Sequence, residues 1–408
     1  MNKKPLISVH EARKHLAKEL TTVAGVETVS LDEAQSRILA EDIPAGIDVP
    51  GYDNSAMDGF ALNTNDFITV GKTLPVSQVV KAGTNPEALL AGSAARIFTG
   101  APIPKGADAI VLQEDCDFDE FTVKVKEAPE VGQHIRCRGH DIKAGSVVFK
   151  QGRRLMPQDI GLLASLGTDS LRVYKRLRVA IINTGDELVE PGQMLQAGQI
   201  YESNSHTLKA LLGRLGFQCI DFGIVGDELE ATRQVLARAA EEADCIISSG
   251  GVSVGDADFV KAALQELGEV AMWKLALKPG KPFTYGKVNS VPFFGLPGNP
   301  VAVFVTFALL VKPYLLGMQG MQDMKRTECK SIQVAAGFTI EQPGSREEYL
   351  RVCVEEDKSG KQQLIAFSNQ GSSVMSSLSW ADGLARIPCE TLVKKGDLLD
   401  YLPFEGLL

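Results

Sequence analysis

The chain has 408 residues, 44% hydrophobic and 23% charged, with a formal net charge of −9. That length exceeds one compact core and predicts several domains, and the composition is that of an ordinary soluble protein. The acidic balance argues against general nucleic-acid binding, which needs clustered Lys and Arg, but it leaves open a small anionic ligand where basic residues gather.

Ser8 and Glu11 form an S-x-x-E capping box, with Val9, Ala12, Leu16 and Leu20 at helical spacing behind it. Ser30 and Glu33 repeat that helix-start signature before Ala34, Ile38 and Leu39. From Pro44 to Gly152 the texture changes to short β-like runs cut by Gly and Pro, such as PVSQVVKAG, FTVKVKE and GSVVFKQG, which predict a β-rich module. Met156 to Gly167 is again helical, with Pro157 in its first turn and Gly167 past its end.

From Arg178 to Met318 strands and helices alternate: RVAIINT, SNSHTLKALLGRLG, QCIDFGIV, ELEATRQVLARAAEEA, DCIISSGG, DFVKAALQELG and VPFFGLPGNP. This predicts an open parallel sheet covered by helices, with ligands at the carboxyl ends of its strands. The longest apolar run, Val301 to Val311, is expected to stop at Lys312-Pro313, too short to span a bilayer. After Gly320 the runs IQVAAGFTI, EYLRVCVEE and QQLIAFS predict a small barrel or sandwich. Seven scattered cysteines (Cys116, Cys137, Cys219, Cys245, Cys329, Cys353 and Cys389) without a C-x-x-C pair predict reduced thiols in a cytoplasm. The start MNKKPLISVHEARKHL contains no apolar stretch of the kind a signal peptide needs.

Three of four strand ends in the α/β block deliver acids: Thr184-Gly185-Asp186-Glu187, Gly226-Asp227-Glu228, and Gly255-Asp256-Ala257-Asp258. Two deliver Gly-rich turns, at Ser248–Gly251 and Pro297–Pro300. Glycine turns and helix starts present N–H groups to phosphate, and carboxylates on one crevice suit a divalent ion bridging phosphate oxygens. Each alone is an ordinary turn or N-cap; together at one rim they point to a site. SSGGVSVGD lacks both the G-K-[ST] of a P-loop and the G-x-G-x-x-G spacing of a dinucleotide fingerprint.

Basic residues gather at Lys274, Lys278 and Lys281, at Arg136 and Arg138 beside Asp141, and at Arg346 and Arg351 before the Ser-rich NQGSSVMSSLS. A solvated strand is the plain alternative for the lysines, but Pro279 and Pro282 stiffen that segment and favour an anion site. No G-x-S-x-G or His-paired nucleophile is present, so covalent acyl chemistry is not expected. PGYDNSAMDGFA invites a calcium-loop reading from Asp53 but places Asp58 where such loops need Gly, and Thr64 where they need Glu. Asp53 and Asn54 are expected to form an Asx-turn that presents Asp58.

In their order, PGYDNSAMDGFA, RIFTGAPIPKGADAIVLQE, INTGDELVEPG, SSGGVSVGDADF, LKPGKPF, GLPGNPVAV and the tail GSREEYLR…NQGSSVMSSLSWADGLARIP resemble the molybdopterin molybdenumtransferase family, the MoeA proteins of bacteria and the E domain of gephyrin. The resemblance spans nearly the whole chain. It implies an α/β multidomain fold: a MogA-like doubly wound α/β domain (1–26 and 178–326), a linker and dimerisation domain (27–45 and 147–177), a β-rich domain (46–146) and a C-terminal β-barrel (327–408).

The implied activity is Mg²⁺-dependent insertion of molybdate into adenylylated molybdopterin with release of AMP. Glu187, Asp227 and Asp258 would hold Mg²⁺ or position the reacting groups, and Asp58 and Thr99 would complete the site from a second subunit. Ser249, Gly250, Gly251, Pro297, Gly298, Asn299 and Pro300 would cradle the pterin phosphate. Lys274, Lys278, Lys281, Arg351 and Ser372 would bind the oxyanion, free of any neighbouring carboxylate, and Arg136 and Asp141 would add substrate contacts. A homodimer is implied, with a MogA-type adenylyltransferase and molybdoenzyme chaperones as partners, and neither nucleic acid nor membrane. Where many relatives carry Ser after P-G-N-P-V, this chain has Ala302, which leaves molybdate and tungstate as alternatives. A MogA-like adenylyltransferase and a non-catalytic molybdopterin-binding scaffold are the competing readings.

Overall fold

The structure, a computed structural model, describes residues 6–66, 71–251, 259–327 and 329–407. It divides into two compact units, one of Met1–Ala40, Gly152–Met156 and Leu171–Leu408, the other of Glu41–Gln151 and Pro157–Ser170.

The first unit opens with helix α1 (Val9–Glu19), held at its start by the capping box. Glu11 N–H donates to Ser8 Oγ at 3.2 Å, and the Glu11 carboxylate accepts from Ser8 N–H at 2.8 Å. Val9, Ala12 and Leu16 form its buried stripe. The same box at Ser30 and Glu33 heads only a single 3₁₀ turn, Leu31–Glu33. Ser36 then takes φ +64°, which no helix tolerates, and Ile38 and Leu39 go into bridges with Arg154 and Val173. Long-range pairing overrides the local signal there.

The α/β elements follow in chain order: β1 (Arg178–Thr184), α2 (Asn204–Leu215), β2 (Gln218–Val225), α3 (Leu229–Glu242), β3 (Cys245–Ser249), α4 (Phe259–Leu267), β4 (Gly268–Lys274), β5 (Pro282–Val288), β6 (Val291–Leu296) and α5 (Pro300–Met318). The sheet order is β2-β1-β3-β6-β5-β4. The four strands β2, β1, β3 and β6 are mutually parallel, whereas β5 runs antiparallel to both of its neighbours, β6 and β4, so the expected parallel sheet is mixed. The β4–β5 and β5–β6 connections are too short for the helical crossover that parallel pairing needs.

Alternation along the strands separates two cores. Val179, Ile181, Ile247 and Phe294 pack with α1, α2 and α5, while Ala180, Ile182, Ile246 and Phe293 pack with α3 and α4. Helices therefore cover both faces of the sheet.

Helix α5 continues through Lys312-Pro313, where the apolar run ends. It spans 19 residues, is apolar and long enough to cross a membrane, and is entirely buried inside the protein, the position of a core helix. Pro313 offers no N–H to the Leu309 carbonyl four residues back, and Arg13 Nε on α1 takes that carbonyl at 2.8 Å instead. Just before the proline, Phe307–Val311 widens to π geometry, with Lys312 N–H donating to Phe307 O.

The C-terminal strands β7 (Ile332–Ala336), β8 (Glu347–Glu356), β9 (Gln362–Ala366), β10 (Gly383–Ile387) and β11 (Leu398–Pro403) pair in the order β8-β9-β7-β11-β10. Pairing of β10 back onto β8 closes them into a barrel around Val334, Leu350, Val352, Leu364 and Ala385. Leu277 and Lys278 add a short parallel strand to the start of β8.

In the second unit, a six-stranded sheet runs in the order Ala109–Leu112, Gly59–Leu62, Ala94–Ile97, Thr73–Val80, Thr122–Val125, Cys116–Phe118. Gly59 cannot be replaced there, because a Cβ would lie 1.9 Å from Val111 O.

Candidate functional site

The carboxyl ends of β1, β3 and β6 and the turn after β2 surround a cleft of about 750 Å³, where open α/β sheets bind ligands. A larger open depression of about 1090 Å³ lies at the opposite strand ends, around Arg178, Gln218 and Asp244. It has interleaved charges of both signs and none of the glycine turns that line the first cleft.

Backbone shape at the cleft is set by glycine. Gly250 has φ +92° and Gly251 φ +61°; a Cβ on the first would stand 2.6 Å from Thr184 O, and on the second 2.5 Å from Val260 Cγ2. The Ser249–Gly251 turn thus lies flat against the end of β1, a close approach that only glycine permits. Asn204, first residue of α2, ties this turn to the next loop: its Nδ2 donates to Ser249 Oγ and to Gly298 O, both at 2.7 Å. Pro297, Gly298 and Asn299 line the cleft, and Pro300 opens α5.

Glu187 and Asp227 line the same cleft. Asp227 N–H donates to Asp186 Oδ1 at 3.0 Å, which brings the turns after β1 and β2 together. Desolvation, then the neighbouring Asp186 and Glu187 carboxylates, hold the Asp227 carboxyl above its usual range. Hard oxygens under mutual repulsion suit a divalent cation, which would take its remaining ligands from water and phosphate oxygens. Among the described residues, no three His, Cys, Asp or Glu side chains gather as a closed metal site. Asp258 lies outside the described residues.

Of the expected cations, Lys278 and Lys281 line the cleft and Lys274 does not. Lys274 ends β4 with its side chain exposed, its carbonyl accepting from Ile7 N–H. Lys278 carries a carboxylate partner after all, Glu348 at 2.8 Å, because the Leu277–Lys278 strand pairs with the start of β8. Arg346 lines the cleft and braces that strand through Leu277 O at 3.1 Å.

Arg351 sits elsewhere than expected. It is fully buried behind the cleft wall, with Nε donating to Ser377 Oγ at 2.9 Å and an Nη to Gly371 O at 3.0 Å. Its guanidinium supports the loop that carries Gly371 and Ser372, both of which line the cleft. Ala302 also lines it, with no hydroxyl to offer.

In the second unit, Asp58 is exposed and oriented: its Oδ1 accepts from both Thr99 N–H and Thr99 Oγ1 at 2.7 Å. These bonds hold its carboxyl below the usual range, the backbone one contributing most. Arg96 backs the same turn, donating to Gly59 O and Gln113 Oε1 with its guanidinium over the rings of Phe60, Phe98 and Phe118. The expected Asx-turn at Asp53 is a longer-range contact: its carboxylate accepts from Arg138 N–H at 2.7 Å. Arg136, exposed at the end of a two-residue strand, pairs with the buried Asn54, and Asp141 is exposed with its N–H on Val49 O.

Sequence reasoning missed Asn204 at the cleft and Arg96 behind Asp58, and it named Thr184 and Asp186 only as part of the strand end that delivers Glu187. Asn204 carried one usable signal, an Asn opening a helix within the α/β block, but its partners lie 45 and 94 residues away.

Family comparisons agree with this geometry. Residues 7–167 match the "MoeA N-terminal region (domain I and II)", 180–317 the "Probable molybdopterin binding domain", and 333–404 the "MoeA C-terminal region (domain IV)". A Haemophilus influenzae protein named molybdopterin molybdenumtransferase is 39% identical over 407 residues, 99% of this chain and 100% of that one. A Nostoc protein of the same name is 37% identical over 358 residues, 85% and 82%. The solved structure of a molybdopterin biosynthesis MoeA protein from Pyrococcus horikoshii superposes with TM-score 0.83 at 29% identity, covering 98% of this chain and 100% of that one.

Fold and cleft define a multidomain protein built around a molybdopterin-binding α/β domain. Within that class, the chain belongs to the MoeA family of molybdopterin molybdenumtransferases.

Proposed function

We propose that the chain is a transferase that moves molybdenum from molybdate onto molybdopterin supplied as its adenylylated form, with release of AMP. The observation that carries this reading is one cleft in which strand-end acids Glu187 and Asp227 share a wall-to-wall space with Lys281, Arg346 and the glycine turns. The turns at Ser249–Gly251 and Pro297–Pro300 cradle the pterin-phosphate portion, with its phosphate directed outward to the cationic wall. Lys281 and Arg346, with the Ser372 hydroxyl, hold the oxyanion; Lys278 joins them by exchanging its Glu348 contact. The work is positioning and neutralisation of a leaving phosphate, so the absence of a nucleophile signature is consistent with it.

Glu187 and Asp227 would hold Mg²⁺, which when bound neutralises charge developing on the phosphoanhydride oxygens. Asp58, held by Thr99 in an outward-facing turn, would reach the cleft of a second copy, so the working form is a homodimer. Seven free cysteines support a reducing, cytoplasmic location. A MogA-type adenylyltransferase would supply the substrate, and molybdoenzyme chaperones would accept the product.

The test is AMP release from adenylylated molybdopterin, with and without molybdate and Mg²⁺. Molybdate-stimulated release supports the reading, and release indifferent to molybdate leaves a plain hydrolase. For the dimer, heterodimers of Asp58→Ala with Glu187→Ala subunits should regain activity that neither homodimer has. Properly formed heterodimers that stay inactive would count against completion in trans.

A further inference from the structure

The floor of the cleft holds polar atoms with no bonding partner among the described residues. Thr184, at the end of β1, is only 7% exposed, and its Oγ1 has no hydrogen-bond partner among the described residues. Asn204 spends its Nδ2 on Ser249 Oγ and Gly298 O, which leaves its buried Oδ1 bare. Both residues line the cleft. On the same strand ends, Asn183 Oδ1 and Ser248 Oγ are also buried and unpartnered among the described residues. Native proteins seldom leave such atoms unbonded, and a group of them at one rim of one sheet calls for a ligand.

Their chemistry restricts that ligand. An amide oxygen only accepts, and a hydroxyl can accept as well as donate. A phosphate or tetraoxo anion placed against Asn204 Oδ1 would set lone pair against lone pair. The cleft's cations come from other elements: Lys281 follows the Leu277–Lys278 strand, and Arg346 precedes β8. The floor therefore takes a neutral, N–H-bearing end of the ligand, and the cationic wall takes its anionic end.

We propose that Thr184 Oγ1 and Asn204 Oδ1 read the donor edge of the 2-amino-4-oxo pyrimidine ring of the pterin, which turns the dithiolene and phosphate end toward Lys281 and Arg346. That edge carries two adjacent donors, the exocyclic amine and the ring N–H, and so matches two acceptors. The adenine of the adenylyl group offers one amine flanked by acceptors and matches poorly. This inference rests on the molybdopterin reading above and adds the orientation of the substrate and two residues that set its specificity.

Because Thr184 Oγ1 bonds nothing among the described residues, Thr184→Val removes a ligand contact without removing a structural one seen there. Affinities of 6-hydroxymethylpterin, 6,7-dimethyllumazine (a carbonyl replaces the 2-amino group), AMP and molybdate are measured on wild type, Thr184→Val, Thr184→Ser and Lys281→Gln, together with urea unfolding midpoints. Wild type should prefer the pterin to the lumazine by about tenfold or more, the value of one matched donor. Thr184→Val should weaken pterin binding by roughly three- to tenfold and narrow that preference. It should leave AMP, molybdate and the midpoint unchanged, and Thr184→Ser should restore pterin affinity. Lys281→Gln should weaken molybdate and AMP but not the pterin.

Equal affinity for pterin and lumazine, no pterin binding, an effect of Thr184→Val on AMP in place of the pterin, or a lowered midpoint would each overturn the proposal. Loss of molybdate-stimulated AMP release with the pterin preference intact would instead sink only the transferase reading.

Discussion

Arg351 donates to the Gly371 carbonyl at 3.0 Å from a position with no solvent exposure, and so holds from behind a loop that lines the cleft in front. Its backbone reinforces the link: Arg351 N–H donates to Gln370 Oε1 at 2.9 Å, and Gln370 Nε2 returns to Arg351 O at 3.0 Å. Burial pulls the guanidinium pKa down to about 10, so the residue stays charged at neutral pH. Arg351→Met should therefore act first on stability, at about 1–3 kcal/mol for the carbonyl and hydroxyl left without donors. Molybdate affinity should fall with it as the loop relaxes. Lys281→Gln, on the cleft surface, should weaken molybdate binding with an unchanged urea midpoint. Equal midpoints for both variants would refute the supporting role of Arg351.

Gly250→Ala tests the flat approach of the turn to β1. At φ +92°, with a Cβ 2.6 Å from Thr184 O, an alanine must push two strand ends apart. Backbone strain of this kind costs about 1–3 kcal/mol. Pterin binding should be lost along with it, since Thr184 and Asn204 would separate. An alanine variant of full stability, measured by urea unfolding, would show that the turn has room the geometry denies.

Thr99→Val addresses Asp58. The carboxyl is held low by two bonds from Thr99, and the substitution keeps the N–H while deleting the hydroxyl. A carboxylate with a depressed pKa stays ionised as pH falls until that pKa is crossed. Weakening its support moves the crossing upward. If ionised Asp58 serves turnover, the acid limb of the kcat/KM profile should shift to higher pH in Thr99→Val. An unmoved limb would separate Asp58 from the chemistry.

Chelation probes the acidic side of the cleft. Treatment with EDTA should suppress AMP release, and added Mg²⁺ should restore it. Asp227→Asn should raise the Mg²⁺ needed for half-maximal rate by about tenfold or more, the loss found even for outer-sphere partners of a metal. Lys281→Gln should leave that requirement alone. Full activity in the chelated protein would exclude Glu187 and Asp227 as ligands of an essential ion.

Much of this architecture was legible in the sequence because its signals are local. The capping box at Ser8, the alternation from Val179 to Ile182, and the Gly and Pro stops after each strand depend on neighbours a few residues away. The same box at Ser30 failed because Ser36, Ile38 and Leu39 answer to partners over a hundred residues distant, such as Arg154. In the site, residue types were readable but facing was not. Lys274 and Lys281 are alike in sequence, yet only Lys281 lines the cleft, and Arg346 lines it where Arg351 backs it. Asn204 escaped notice because both its partners are brought together only by the folded sheet.

Lys312 gives the sharpest pH test of stability. It lies within α5 at 5% exposure, with Nζ donating to Leu407 O at 2.6 Å. Desolvation, followed by the nearby charge of Arg154, pushes its pKa from the ordinary 10.5 down to about 8. Between those two values the unfolded chain binds more protons at this lysine than the folded one, so its contribution to stability rises with pH across that window and is flat below it. The full span corresponds to about 3 kcal/mol. Lys312→Met has no such titration. The unfolding free energy of wild type minus that of Lys312→Met, from urea curves at pH 7 to 10, should stay level to about pH 8 and then climb by about 2–3 kcal/mol. Other groups that titrate in this range are common to both proteins and cancel in the difference. A difference that stays flat to pH 10 would mean that the buried ammonium keeps its ordinary pKa.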